Sequence, residues 1–329
     1  MDTITNSTAF QGVLSSWSTQ IDQYNAIFTT SIVSSSATKL AATDAWGNPK
    51  VPFLEDFTTP ADAGWFTLPD DVKSSDNSYS SLFGLPITGL PSSGGTQFVS
   101  KSAYFNLDCT PLVLKSEEEL KNISGWVEPT TETASNNSSE PSMGTTTLWN
   151  SDGQLQSSLF IHFYYPNGTQ PGSFLLSFLS VQNTTTTPGE EGITTSHFYY
   201  SSTTCTYDQT IAESHIVCEG IHCYVDKMRP ATTDSSNGSP LLIFDNSLAG
   251  SNFLSNFGKA SGTPDFRAPT IIEKYLYDPH SALYGKYGTQ TDPLASVPIK
   301  VFTRRLEALF NTFWQTSNTL LVCFLSLAR

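Results

Sequence analysis

The chain has 329 residues, enough for one large domain or two small ones with a substantial core. Its 16 lysines and arginines face 30 acids, a formal net charge of −14. That balance argues against nucleic acid and anionic membrane surfaces as partners, since both need clustered cations.

From the N-terminus, Phe10, Val13, Leu14, Trp17, Ile21 and Tyr24 recur at helical spacing. They predict a helix over 8–34, packed on the domain or serving as a juxtamembrane stalk. Two prolines and a glycine in 43–55 predict an ordered loop or edge strand. Loops and short strands are expected across 58–95, and a buried strand around Ala103–Val113. Ser116 and Glu119 stand at capping-box spacing, which predicts a short helix over Ser116–Asn122. Glu128–Thr147 is a polar loop.

The centre is β-rich. Leu159–Tyr165 (LFIHFYY) and Phe174–Val181 (FLLSFLSV) flank Pro-Asn-Gly, the pattern of adjacent antiparallel strands. Both are apolar on both faces, which predicts central rather than edge strands. Further strands are expected at Ser196–Ser202, Cys205–Thr210, Glu213–Cys218 and Ile221–Arg229. Short helices are expected at Thr270–Asp278 and Ser281–Tyr287. The strongest helix is Val301–Gln315, with Phe302, Leu306, Leu309, Phe310 and Phe313 in one stripe. The expected fold is mainly β, an antiparallel β-sandwich-like core with flanking N- and C-terminal helices. Its divisions are a helical segment 1–42, a β-rich domain 43–299, and an amphipathic helix with a partial apolar tail over 300–329.

Compartment is the best-marked property. Charged residues are only 14%, against roughly 25% in typical soluble proteins. Serine and threonine, about a quarter of the chain, supply the polarity instead. Asn-x-Ser/Thr sequons occur at Asn6, Asn122, Asn136, Asn137, Asn167, Asn183 and Asn237, where roughly four would arise by chance. Most stand in polar or turn-rich stretches expected to be exposed loops. Cys109, Cys205, Cys218 and Cys223 lie in the body of the domain and allow two disulfides in three pairings. The pairing favoured here is Cys218–Cys223 with Cys109–Cys205. A zinc site at His215, Cys218, His222 and Cys223 is disfavoured. It lacks Cys-x-x-Cys and His-x3-His spacing, and on one strand Cys223 would point away from Cys218. Met1–Phe10 has neither a basic nor an apolar signal region. No apolar run reaches 18 residues, and Leu320–Ala328 is about half a span. The export signal is therefore expected outside this chain.

There is no Gly-x-Ser-x-Gly elbow, phosphate loop, dinucleotide fingerprint or His-Glu-x-x-His, and no cofactor, metal or catalytic residue is assigned. Glu117–Glu119 and Glu190–Glu191 are adjacent acids, which is not the spaced carboxylate pair of a glycosidase. Trp46, Trp65, Trp126 and Trp149 are candidate sugar-stacking rings in loop-like contexts, with core packing as the alternative.

Three stretches carry a resemblance: Asp44–Pro52 with Trp-Gly-Asn-Pro-Lys-Val-Pro; Tyr104–Pro111 (YFNLDCTP) followed by Cys205–Arg229; and Arg304–Gln315 (RRLEALFNTFWQ). In order and spacing the chain resembles the ectodomain of a family of multi-spanning membrane proteins of filamentous fungi. The resemblance covers roughly Asp44 to Gln315. It implies an extracytoplasmic domain between membrane segments and carries over no activity. The flanking membrane segments are not in this chain, which reads as a domain fragment or truncated gene product. The expected role is structural, sensing or ligand-binding, with a cell-wall glycan or a protein as partner. The rivals are a carbohydrate-binding module, which calls for exposed aligned rings, and a secreted hydrolase, which calls for a deep pocket.

Overall fold

The computed structural model describes residues 25–57, 59–60, 64–67, 78–116, 119, 159–164, 173–186, 194–231, 257, 270–280 and 294–327. Its strands are β1 (Thr59–Pro60), β2 (Phe66–Thr67), β3 (Gly95–Cys109), β4 (Val113–Ser116), β5 (Leu159–Tyr164), β6 (Ser173–Thr186), β7 (Thr194–Glu219) and β8 (His222–Pro230). Its helices are α1 (25–33), α2 (Ser36–Leu40), α3 (Ile271–Tyr277) and α4 (Ile299–Leu327).

β7 organises the sheet. Three of the strands expected separately are one strand of 26 residues. The segment contains no glycine or proline and is rich in threonine, aromatic and β-branched residues, so nothing interrupts its extended backbone. It stops at Gly220, whose φ of 61° opens a two-residue turn into β8. The first half of β7 pairs with β6 on one edge and with β4 on the other; the second half pairs with β8 and β3. β5 pairs with β6 across the predicted Pro-Asn-Gly connection. However, β5 ends the strand order β1-β2-β8-β7-β6-β5, so only β6 is central. An apolar pattern on both faces reports burial of the faces, not pairing of both edges. Residues 174–178 of β6 are indeed buried without alternation.

The described strands form one eight-stranded antiparallel sheet. The layer closing the larger core is therefore helix, where a sandwich would place a second sheet. Alternation along β3 and β7 sends Phe105, Leu107, Cys109 and Cys205 to the helical face. Phe28 and Ile32 of α1, Ile272 and Leu276 of α3, and the predicted stripe of α4 meet them there. Phe310 stacks parallel to Phe174 at 5.9 Å and edge-on to Phe105 at 5.5 Å. The opposite face, at the far end of the sheet, carries Phe98, Ala212, Ile216, Cys218, Cys223 and Met228 under loop residues Val51, Phe57 and Leu85.

Local rules set two capping interactions. Thr270 and Glu273 form the capping box of α3. Ser116 and Glu119 exchange the same pair of bonds. α4 runs well past the predicted stripe, yet no helix among the described residues is long and apolar enough to cross a membrane.

Candidate functional site

The Trp-Gly-Asn-Pro-Lys loop is held from inside. Asp44 is buried; its Oδ1 accepts from the Trp46 and Asn48 amides, and its Oδ2 from Asn48 Nδ2 and the Gly84 amide. Gly84 has no room for a side chain, because a Cβ there would strike the Asn48 carbonyl. Lys50 is 1% exposed and donates to the Thr38 and Lys39 carbonyls at 3.0 and 2.7 Å, over the Tyr79 ring. Burial lowers its pKa to about 7, against a smaller opposing pull from Asp44. The motif thus fixes a loop against residues 78–85. Nearby, a cleft of about 20 Å³ between Lys39, Tyr275 and His280 has room for about one water.

The Leu-Phe-Asn-Thr-x-Trp segment is equally architectural. Asn311 of α4 accepts from the Phe105 amide at 2.7 Å and donates to the Phe105 carbonyl at 2.8 Å. One turn earlier, Glu307 accepts from the Leu107 amide at 2.7 Å. Helix side chains therefore replace a neighbouring strand along this part of β3. Burial raises the Glu307 pKa, with the Leu107 amide and Arg304 opposing it. Arg304 bonds Asp56 at 2.8 Å and lies over the Phe53 ring. Thr312 accepts from the Leu82 amide, tying α4 to the loop.

The other half of β3 is exposed, as is part of the adjoining sheet face. The Cys109 and Cys205 Cα atoms are 4.0 Å apart, the close kind of antiparallel pair, whose backbone groups point away from the partner strand. Odd-numbered residues of β3 therefore direct N–H and C=O outward, as Phe105 and Leu107 do towards α4. At Gln97, Val99, Lys101 and Ala103 nothing among the described residues receives them. On the adjoining face, Glu213 takes both the Nε and an Nη of Arg229, at 2.7 and 2.6 Å. Arg229 also lies 4.4 Å from the Trp65 ring, and His215 approaches Asp226 at 3.5 Å. Val99 and Tyr224 on this face are 51% and 44% exposed.

The predicted residues divide clearly. Cys109–Cys205 and Cys218–Cys223 are disulfides between directly opposed residues, each buried. The expectation that Cys223 points away from Cys218 is corrected by the hairpin. The Gly220–Ile221 turn brings Cys218 and Cys223 to one face, bonded to each other, so neither is a free thiolate. No cluster of metal-ligating side chains occurs among the described residues. Asn183 lies in β6, opposite His197, rather than in a loop. The threonine run after it has the β-branched character of a strand. Asn6, Asn122, Asn136, Asn137, Asn167 and Asn237 lie outside the described residues, as do Trp126, Trp149, Glu117, Glu190 and Glu191. Trp65 holds Arg229, while the exposed Trp46 meets Phe83 from a separate loop. The open edge of β3 escaped sequence reading. Residues 95–101 alternate exposed and half-buried in the structure, but Val99 falls among the exposed positions, so their sequence shows no polar alternation.

Comparison with protein-family models, with curated proteins and with solved structures found no match for this chain.

Proposed function

We propose that this chain is the extracytoplasmic, N-glycosylated domain of a fungal membrane protein, acting by binding a ligand or partner. The observation that carries this reading is the pair of buried disulfides, one on each face of a single sheet. Such bonds form and persist in oxidising compartments. The seven sequons and the hydroxyl-rich, charge-poor composition support the same compartment. The exposed face and edge around Val99, Lys101 and Tyr224 support a binding role, with a wall glycan or a protein as the partner class.

Intact mass of the chain made through a fungal secretory route tests the proposal. The mass is taken before and after glycan removal, with and without reduction and alkylation. Added glycan mass, with Cys109, Cys205, Cys218 and Cys223 labelling only after reduction, is the expected result. An unglycosylated chain whose four thiols label freely would sink the compartment assignment.

A further inference from the structure

We propose that the open edge of β3 between Gln97 and Ala103 is a strand-addition site for an acidic, extended peptide of a partner protein. The edge is half closed and half open. Asn311 and Glu307 satisfy Phe105 and Leu107, whereas the outward groups at positions 97, 99, 101 and 103 meet no partner among the described residues. An unpaired edge of this kind is a template for a further strand.

Charge selects the occupant. Lys101 lies opposite Glu213 in the ladder, but Glu213 is held by Arg229, and Lys101 makes no ion pair among the described residues. It is a cation at the edge of a chain carrying −14, unpaired among the described residues. A second copy could not neutralise it, since residues 97–103 contain no acid and two such chains repel. A carboxylate on an added strand neutralises it, and the half-exposed Val99 offers an apolar contact beside it.

The inference rests on the binding reading above but not on the compartment, so the two can fail separately. The probe is a labelled peptide of Ile211–Glu219 with Cys218→Ser, an acidic β-forming segment, titrated against the full chain by fluorescence anisotropy. Saturable binding is expected. Val99→Pro removes one outward N–H while leaving the ladder to β7 intact, because that ladder uses the even-numbered residues. It should weaken binding roughly tenfold. Lys101→Glu should also weaken binding, and a Glu213→Lys peptide should restore it. Absence of binding at millimolar peptide, or binding indifferent to both variants, would overturn the proposal. So would self-association of the wild-type chain in sedimentation that Val99→Pro abolishes, since the edge would then belong to a second copy.

Discussion

Asn311 satisfies both backbone groups of Phe105 inside the core. Asn311→Ala would leave a buried N–H and C=O without partners. The expected cost is about 2–5 kcal/mol, read as a lower urea midpoint at unchanged slope. Glu307, one turn away, behaves differently. Its raised pKa means that the folded chain holds this proton to higher pH than the unfolded chain. Its contribution to stability is thus full below the ordinary carboxyl pKa of 4.5 and lost as pH rises above it. Glu307→Gln keeps an acceptor for the Leu107 amide without the buried charge. Above pH 4.5, where that contribution falls away, the variant should match or exceed the parent in urea denaturation. Lys50 and Lys39 act in the opposite pH direction. Burial lowers their pKa values to about 7 and about 8 from the ordinary 10.5. The unfolded chain then carries more protons between those values and 10.5, so stability rises with pH across that window. Lys50→Met should flatten the rise, measured from pH 7 to 10.

At the scale of elements, the disulfides close loops of very different length. Cys109 and Cys205 are 96 residues apart in sequence, Cys218 and Cys223 only 5. Chain-entropy arguments assign the first about 4–5 kcal/mol and the second about 2 kcal/mol. Calorimetry of the Cys109→Ala/Cys205→Ala and Cys218→Ala/Cys223→Ala double variants should show the larger loss for the long loop. Equal losses would mean that native packing, not loop closure, dominates both. The short bridge sits beside the Gly220 turn, whose amide already bonds the Gly94 carbonyl and whose pairing is set by the hairpin. That element depends less on its bond to find its register. β7 itself shows how neighbouring strand signals merge. With only Thr203–Thr204 and Ile211–Ala212 between the predicted segments, the sheet partners on both edges decide that the chain continues straight.

The whole molecule depends on its last described helix. Phe302, Leu306, Leu309, Phe310, Phe313 and Trp314 of α4 all enter the core that also holds Phe28 and Ile32. Burying six such side chains is worth roughly 10–20 kcal/mol, as much as the whole net stability of an ordinary domain. A chain ending at residue 298 should therefore show no cooperative urea transition by circular dichroism. A cooperative transition would show that the sheet is stable alone.

Several features were legible in the residues themselves because their causes are local. The apolar stripe of α4, the capping boxes at Ser116 and Thr270, the β5–β6 hairpin around Pro-Asn-Gly and the mainly β character each depend on neighbours within a few positions. The cysteine number likewise allowed two disulfides, and both form between opposed strand residues. The tertiary structure alone decided the rest: which layer covers the sheet, which strand ends it, and which half of β3 stays open. These depend on residues far apart in sequence, such as Asn311 meeting Phe105 across 206 positions. No spacing rule within a short window can encode such a contact, because it exists only once both faces of the sheet have found what covers them.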